Sequence, residues 1–409
     1  MHDSITQNRG RTDVVNDWNQ MLTDKEVQQV RSRFRIFQRK IYLNSCSQGA
    51  LSDCVQRGLE NYIASWHEQG SPWEQWIDQY ESARTAFAQF INASPDEVAI
   101  VTSASAGINS IASALSFRER KKVVLGEFEF PTMGHVWLAQ RSRGADVQFV
   151  SADGNRIPAV SYEKVVDRTT CIVPLTHVCF KNGFRSEVRA VTEIAHHNNA
   201  LVMLDDYQDC GTRPVDVKAL DLDFLVTGTL KYLLGPPGLA FMYVRNDLIP
   251  SLIPAITGWF AQTDPFAFDP KNINLSPTAR RFESGSPPVP NVYAAVPGFQ
   301  MLQKIGMDNV AAHIAGLTQS LLSYAFTLGI RAKTPPDSTG PLAVLQSKDA
   351  SLLVQKLAER NIVASNRHDG LRISFHVYNN LDDVEAVAQV LKENMDLLIL
   401  EGEPCGSHD

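Results

Sequence analysis

Residues 201–244 decide the fold and read LVMLDDYQDCGTRPVDVKALDLDFLVTGTLKYLLGPPGLAFMYV. Three short apolar runs, Ala200–Leu204, Phe224–Thr227 and Leu239–Val244, are bounded by polar or Gly/Pro residues, which is typical of buried strands. Asp205 follows the first run, and Lys231 closely follows the second. Ligands of open α/β sheets bind beyond the carboxyl ends of the strands. These two side chains are therefore the first candidates for a functional site.

The same pattern of apolar runs extends toward the N-terminus. Four further runs are Val98–Thr102, Lys122–Gly126, Val147–Val150 and Cys171–Leu175. Most of the seven runs are followed by a helical stretch, and this alternation predicts an α/β domain with a mostly parallel, seven-stranded, doubly wound sheet.

A second, smaller α/β domain is predicted beyond the Pro-rich stretch Asp264–Pro290. Its expected elements are helices near Val292–Ile305, Met307–Leu328, Ala350–Arg360 and Leu381–Ile399, with strands at Leu342–Gln346 and Leu371–Phe375. We expect four parts in all: an N-terminal arm and helix (1–40, with a helix over Asp24–Phe37), a large domain (41–290), a small domain (291–399) and a polar tail (400–409). The polar arm, residues 1–20, is expected to be mobile or to contact a second subunit.

Composition narrows the class of protein. The chain has 409 residues, 44% of them hydrophobic and 20% charged, and its net charge of −7 disfavours nucleic-acid binding. No apolar stretch approaches the roughly 18 residues of a membrane span, and the N-terminus lacks a hydrophobic signal core. The six cysteines lack zinc-type spacing: Cys46, Cys54, Cys171, Cys179, Cys210 and Cys405. We expect a cytoplasmic protein without a metal site, a membrane partner or a nucleic-acid partner.

Three features at the predicted strand ends point to one cofactor. Asp205 is a carboxylate at a buried position and needs a cationic partner. Lys231, half-buried, would have a lowered pKa and react with carbonyl groups. Residues 103–107, Ser-Ala-Ser-Ala-Gly, open a helix whose free N–H groups suit a phosphate. Each feature alone has an ordinary reading, as a solvated lysine or a helix cap, but together they describe a site for pyridoxal phosphate.

At this point the sequence resembles the class V aminotransferase group of fold-type I pyridoxal phosphate enzymes. This group includes cysteine desulfurases, kynureninases and isopenicillin N epimerase-like proteins. The resemblance runs from Tyr42 to Leu398, and Leu201–Val244 carries it most specifically through D-x-x-Q, a lysine and G-P-x-G. It implies a homodimer with active sites shared between subunits.

The resemblance assigns roles at the cofactor ring. Lys231 would form the Schiff base with the cofactor aldehyde and later move the Cα proton of the substrate. Asp205 would pair with the pyridinium nitrogen, and Gln208 would hydrogen-bond near the phenolic oxygen. Phe130, in Glu129-Phe130-Pro131, would cover one face of the ring, although the residue type alone also fits a core position.

The resemblance also assigns the residues that would bind the phosphate of the cofactor. Ala104 and Ser105 would bind the cofactor phosphate. Thr229 would add a hydroxyl unless it serves only its own turn, and Ser286 would reach the phosphate from the partner subunit unless it belongs to an ordinary Pro-flanked turn.

On the substrate side, Arg372 matches the arginine that binds the substrate α-carboxylate through its bidentate fork. Its alternative is an ion pair with a surface acid. Asn44 is a further candidate for the substrate site, and His177 is read as a structural hydrogen-bonding residue.

Departures from the family pattern bear on the reaction. Residues 363–370, where desulfurases carry their reactive cysteine, contain none. Gly228 and Leu230 replace the Ser and His of the family's S-x-H-K, and Phe180 stands where the family has Asn. The stretch Ser374–Asn380 followed by Asp382-Asp383 resembles the epimerase-like branch.

These features predict an enzyme that binds an α-amino acid or a small derivative as an external aldimine and forms a Cα carbanion. Lyase or epimerase chemistry is favoured, and a Cys-persulfide desulfurase is disfavoured. Aminotransferase chemistry is the alternative, with Arg185 and Arg367 as candidates for a second substrate carboxylate. A catalytically silent cofactor-binding module is a remote alternative. Whether Cys46 or Cys179 takes part in chemistry stays open.

Overall fold

The computed structural model describes residues 21–337 and 340–403, so the expected arm (1–20) and Cys405 lie outside the described residues. The strands are β1 (Ile41–Tyr42), β2 (Val98–Val101), β3 (Lys122–Gly126), β4 (Asp146–Val150), β5 (Thr170–Thr176), β6 (Leu201–Asp205), β7 (Phe224–Gly228), β8 (Ala240–Val244), β9 (Leu342–Gln346), β10 (Ile362–Val363), β11 (Ser365–Arg367) and β12 (Gly370–Ser374). The α-helices are α1 (Asp24–Arg31), α2 (Asp53–Gln69), α3 (Trp73–Phe90), α4 (Ala104–Ala114), α5 (Pro131–Ala139), α6 (Val188–His197), α7 (Val289–Ile305), α8 (Met307–Thr327), α9 (Ala350–Glu359) and α10 (Leu381–Glu393). In the described ranges, none of them has both the length and the apolarity to cross a bilayer.

The large sheet confirms the predicted fold class. Its seven strands lie in the order β2-β8-β7-β6-β5-β3-β4. Strand β8 is antiparallel to both neighbours, and the other pairs are parallel. Successive residues of β6 alternate between two buried clusters, with Leu204 in one and Met203 in the other, so both faces of the sheet are covered. This explains why the strands read as continuous apolar runs in the sequence.

The small domain contains the antiparallel sheet β11-β12-β9, covered by α8, α9 and α10. Strand β1 pairs in parallel with β10, and Asn44 forms a bridge with Ser374. Residues 41–44, expected to open the large domain, therefore pair with the small one. The next residues cross to the large domain, where the Gly49 N–H donates to the Leu230 carbonyl at 2.8 Å. A Cβ on Gly49 would lie 2.3 Å from the Lys231 carbonyl oxygen, so glycine permits this close approach.

Two predicted helices are shorter in the structure. The expected helix over Asp24–Phe37 ends at Arg31 and is followed by a 3₁₀ turn. The last helix, expected to reach Ile399, ends at Glu393. Asn394 leaves the helical conformation and its side-chain amide donates to the Val390 carbonyl at 2.8 Å, which satisfies an acceptor of the last turn.

A buried ion pair fixes the segment before Gly285 to the large domain. Arg84 Nη1 lies 2.5 Å from Glu283 Oε1 and also donates to the Val98 carbonyl at 2.7 Å. The same Glu283 oxygen accepts the Ile100 N–H at 2.9 Å. Both side chains are almost fully buried, at 3% and 2% exposure. The pair therefore joins α3, the edge strand β2 and the loop that leads to Ser286.

Replacing Arg84 with methionine is expected to lower the free energy of unfolding by about 3–5 kcal/mol, because Glu283 would be left buried and unpaired. Urea denaturation of the apoprotein measures this. The matched control is Arg189→Met, whose ion pair with Glu193 is 74% and 68% exposed, and which should change the free energy of unfolding by less than about 1 kcal/mol. Equal effects of the two substitutions would contradict the assignment.

Candidate active site

A cavity of about 250 Å³ lies at the carboxyl ends of β5, β6 and β7, beside the start of α4. Six of the ten predicted site residues line it: Ala104, Ser105, Phe130, Asp205, Gln208 and Lys231. The topology explains this, because β6 and β7 are parallel neighbours and the residues that follow them emerge at one edge of the sheet.

Asp205 and Lys231 perturb each other inside this cavity. Burial raises the pKa of Asp205 to about 6, opposed by the Tyr207 N–H, which donates to Oδ1 at 3.0 Å, and by the charge of Lys231. Burial lowers the pKa of Lys231 to about 8, opposed by the charge of Asp205. About a tenth of the lysine is therefore the neutral amine at pH 7, far more than for a solvated lysine, and this is the form that attacks a carbonyl carbon.

Gln208 carries a buried atom that has no protein partner. Its Nε2 donates to the Cys46 carbonyl at 3.1 Å. Its Oε1 is buried without a hydrogen bond to any residue in 21–337 or 340–403. An orphaned buried acceptor costs free energy, so this atom is suited to a ligand in the cavity.

Phe130 lies on the cavity wall and is 44% exposed, so the core alternative for this residue does not apply. Its ring meets the Phe180 ring edge-on, with the centroids 5.1 Å apart. The two rings form an apolar part of the cavity wall, which also carries the polar side chains of Asp205, Gln208 and Lys231.

The start of α4 provides backbone donors. Ser103 caps the helix, and its hydroxyl accepts the Ala106 N–H at 3.1 Å. The preceding N–H groups, on Ala104 and Ser105, have no intrahelical partners, as at any helix start. With the helix dipole, they make this end of the cavity suitable for an anion.

Two predicted phosphate residues lie outside the cavity of their own chain. The Thr229 hydroxyl is fully buried and donates to the Pro236 carbonyl at 2.7 Å, so it fastens the turn after Lys231. The alternative reading of Thr229 as a turn hydroxyl fits this structure. Ser286 is exposed and faces no part of this cavity, and its expected role requires a partner subunit.

Arg372 is 1% exposed and has no acidic partner among the described residues, which rules out the surface ion pair considered above. Its guanidinium donates to the Phe180 carbonyl at 3.1 Å and to the hydroxyls of Ser47 and Ser365, each at 3.0 Å. Neutral acceptors position this charge and leave it uncompensated. It can therefore receive a carboxylate.

Both Cys46 and Cys179, whose part in the chemistry was left open by the sequence, are buried. Cys46 is 1% exposed, and its Sγ lies 3.8 Å from Asn44 Oδ1 and 3.9 Å from Ser365 Oγ. Asn44 is thus near the arginine site but is not part of the cavity wall. Burial raises the pKa of Cys179 to about 11, so its thiol is unreactive at neutral pH.

Several wall residues were missed by the sequence reasoning: Thr132, Thr176, Val178, Phe180 and Tyr207. Thr176 ends β5, Val178 and Phe180 follow it and Tyr207 follows β6, so a position at a strand end was the available signal for these four, whereas Thr132 lies in α5. Glu129, next to Phe130, was also missed. Burial raises the pKa of its carboxyl well above the usual range, while its Oε1 accepts the Thr176 N–H at 3.0 Å.

A buried charge network supports the turn after β5. His177 Nδ1 lies 2.6 Å from Asp206 Oδ1. Arg185 donates to His177 Nε2 at 3.3 Å and to Asp209 at 2.8 Å. The His and both Asp side chains place possible cation ligands within 4.8 Å of one another, but each carboxylate already has a protein partner, His177 for Asp206 and Arg185 for Asp209. His177 thus forms structural hydrogen bonds, and Arg185 belongs to this network and does not line the cavity.

The family profile described as Aminotransferase class-V matches residues 42–387, which is most of the chain. The chain belongs to the class V aminotransferase family. Enzymes of this family use pyridoxal phosphate on amino acids, and pyridoxal phosphate is the cofactor of this chain.

Two similar proteins and one solved structure give the range of the family. The chain is 33% identical to "Uncharacterized aminotransferase YcbU" of Bacillus subtilis, over 87% of this chain and 95% of that protein. It is 27% identical to a "Probable cysteine desulfurase" of Methanothermobacter thermautotrophicus, over 76% of this chain and 83% of that protein. The solved cysteine desulfurase of Thermococcus onnurineus shares the fold with a TM-score of 0.82 at 21% identity, covering 90% and 97% of the two chains.

The residues present fit the class V cofactor. The orphaned Gln208 Oε1, the buried Asp205 carboxylate and the amine of Lys231 all face one cavity. Ala104 and Ser105, which carry the unpaired N–H groups of α4, line the same cavity. An acid, a lysine and an anion cradle are the protein groups that pyridoxal phosphate requires.

Proposed function

We propose that this class V enzyme removes the Cα proton of a free α-amino acid or a small derivative and completes a lyase or epimerase reaction. Bound pyridoxal phosphate supplies the electron withdrawal from Cα. Asp205 pairs with its ring nitrogen, Ala104 and Ser105 hold its phosphate, and Lys231 takes and returns the proton.

The observation that carries the proposal is the uncompensated charge of Arg372 beside the cavity of Lys231. Arg372 donates to the carbonyl of Phe180, and Phe180 itself lines the cavity. A carboxylate held by this arginine places the adjacent Cα near the lysine. Lys231, with a pKa of about 8, is suited to move a proton near neutral pH.

The position and burial of the cysteines disfavour persulfide chemistry. The β10–β12 segment contains no cysteine, and Cys46 and Cys179 are both buried. A desulfurase thiol must be reached by the substrate sulfur and ionise readily.

Aminotransferase chemistry is the second candidate, and Arg367 favours it. In β11, Ser365 pairs with Arg372 and Arg367 pairs with Gly370, so Arg367 and Arg372 lie on one face of the hairpin. Arg367 donates to the Asn366 carbonyl at 2.7 Å and forms no ion pair within the described residues. Burial and the charge of Arg372 lower its pKa. A free arginine beside the carboxylate site suits a dicarboxylic substrate, as many amino-group acceptors are.

We also propose a homodimer. Phe268 and Ile273 are 70% and 73% exposed in one loop, and Ser286 is exposed nearby in the chain. The Phe266 ring, 49% exposed, lies 6.0 Å from the Phe268 ring and extends this apolar surface, and contiguous exposed apolar surface is typical of an interface. Light scattering of the holoenzyme measures its molar mass in solution, and the mass of a monomer would contradict the proposed homodimer.

One experiment separates the reactions. The holoenzyme is incubated in D₂O with L-amino acids, with or without pyruvate or 2-oxoglutarate, and followed by NMR and chiral chromatography. We expect deuterium at Cα of the true substrate, together with racemised product or a cleaved side chain. Stoichiometric transfer of the amino group to the keto acid would replace the lyase or epimerase proposal with the aminotransferase. Persulfide formation from cysteine would overturn the exclusion of desulfurase chemistry. The absence of Cα exchange with every amino acid would contradict the proposal as a whole.

A further inference from the structure

Gly228 and Tyr207 share one space at the end of β7. Gly228 is the last residue of this strand and is buried. A Cβ built on it would lie 2.3 Å from both Cζ and the hydroxyl oxygen of Tyr207. The backbone of Gly228 is not in the left-handed region. Glycine is required here because the tyrosine ring occupies the place of a side chain.

The Tyr207 side chain faces the cofactor cavity. It lines this cavity together with Lys231, whose Nζ lies 4.4 Å from the centroid of the Tyr207 ring. The same Nζ lies 5.9 Å from the centroid of the Phe130 ring, so the lysine amine is flanked by two aromatic rings. The Tyr207 hydroxyl has no hydrogen-bond partner in residues 21–337 and 340–403. Burial and the charge of Asp205 raise its pKa to about 12, so the hydroxyl keeps its proton.

The hydroxyl lies on the side of the sheet that α4 covers. Val226 and Gly228 are two residues apart in β7 and point to the same face. A Cβ on Gly107, in the first turn of α4, would lie 3.3 Å from Val226 Cγ2. The start of α4 therefore lies over the end of β7, on the face toward which Gly228 opens. Tyr207 also packs against the cluster that contains Ala104 and Ile108 of α4, so its free O–H donor lies on the side of the sheet where the helix starts.

Thr229, the hydroxyl residue expected to bind the phosphate from the end of β7, cannot do so. Thr229 donates to the Pro236 carbonyl, and Gly228 has no side chain. An anion at the start of α4 would thus meet the Tyr207 hydroxyl as its side-chain donor from this strand end.

We propose that Tyr207 is a phosphate-binding residue: its hydroxyl donates a hydrogen bond to the phosphate of pyridoxal phosphate, and Gly228 admits its ring. This inference does not depend on which reaction the enzyme completes. It concerns the free energy of cofactor binding, which can be measured without any substrate.

The test compares two ligands on the apoenzyme. Pyridoxal phosphate and pyridoxal, which lacks the phosphate, are titrated into wild type and Tyr207→Phe, and Schiff-base absorbance gives each Kd. We expect Tyr207→Phe to weaken pyridoxal phosphate binding by about 10- to 100-fold, as for a hydrogen bond to a charged group. Pyridoxal binding should change less than about threefold. Equal weakening of both ligands, or no change in either, would overturn the proposal.

A rescue variant guards against an effect of packing alone. Tyr207→Ala empties the space beside residue 228, and Gly228→Ser in that background returns a hydroxyl to the same place. We expect the double variant to bind pyridoxal phosphate more tightly than Tyr207→Ala, whereas Gly228→Ser alone should weaken binding because its side chain meets the Tyr207 ring. If the added serine gives no gain, or if the single Gly228→Ser variant binds normally, the shared-space argument is wrong.

Discussion

Replacing Lys231 with alanine is expected to abolish turnover, with kcat falling by at least about 10²–10⁴-fold, the range for a lost general acid–base group. Lys231 is the titratable amine that lines the cavity, and its pKa of about 8 lets one side chain both join the cofactor and move a proton. The variant should also lack the Schiff-base absorbance of the holoenzyme. Both quantities are measured on protein saturated with cofactor.

The matched control is Lys348→Ala, because the Lys348 side chain is 47% exposed and forms its ion pair with Glu403, which is itself 36% exposed. It should keep wild-type absorbance and turnover. A Lys231→Ala protein that retains full activity, or retains the Schiff-base absorbance, would remove the catalytic assignment and favour a silent cofactor-binding module. Unchanged thermal melting of the apoprotein separates loss of chemistry from loss of fold.

Replacing Arg372 with leucine is expected to lower kcat/KM by about 30- to 4,000-fold, which corresponds to about 2–5 kcal/mol for truncating a buried charge pair. The effect should lie mainly in KM, because the substrate carboxylate would lose its partner. The cofactor should still bind, since Arg372 is not a wall residue of the cofactor cavity. Substrate titration of the Schiff-base spectrum gives the binding constant directly.

Arg372→Lys tests the geometry, since it keeps the charge but loses the planar fork. We expect its kcat/KM to lie between those of Arg372→Leu and wild type. The control is Arg360→Leu, whose side chain is 59% exposed and pairs with Glu393. If Arg372→Leu left KM unchanged, the substrate carboxylate would have to bind elsewhere, with Arg367 as the first candidate.

The sequence predicted the sheet well because its strands are buried on both faces. Continuous apolar runs mark such strands, and all seven were found with no end shifted by more than one residue. The short apolar run that begins at Ile41 looks strand-like in the sequence and contains β1, but its pairing with β10 could not be predicted, because the two segments are far apart in the chain. Helix ends were also misjudged where a 3₁₀ turn continued the apolar spacing.

The sequence predicted correctly those site residues that are brought together by the order of the strands alone. Asp205 and Lys231 follow adjacent parallel strands, so their meeting needs no knowledge of loops. Thr229 was different, because its role depends on a loop that folds back to present the Pro236 carbonyl. Tyr207 was missed since it occupies an open position of D-x-x-Q, and only the structure shows that its ring fills the space beside Gly228.

The strand order has a consequence for how the chain assembles. Strands β5 to β8 are consecutive both in the chain and in the sheet, so the strand ends that carry Asp205 and Lys231 come together over connections of 24, 18 and 11 residues (177–200, 206–223 and 229–239), which cost less entropy to close than the longer separation of β2 from β8. Strand β2, which leads into α4, joins only by pairing with the distant β8. The two ends of the cofactor site thus come from segments that meet late. A cofactor that bridges them ties the edge strand to the centre, and its binding free energy adds to the stability of the completed sheet.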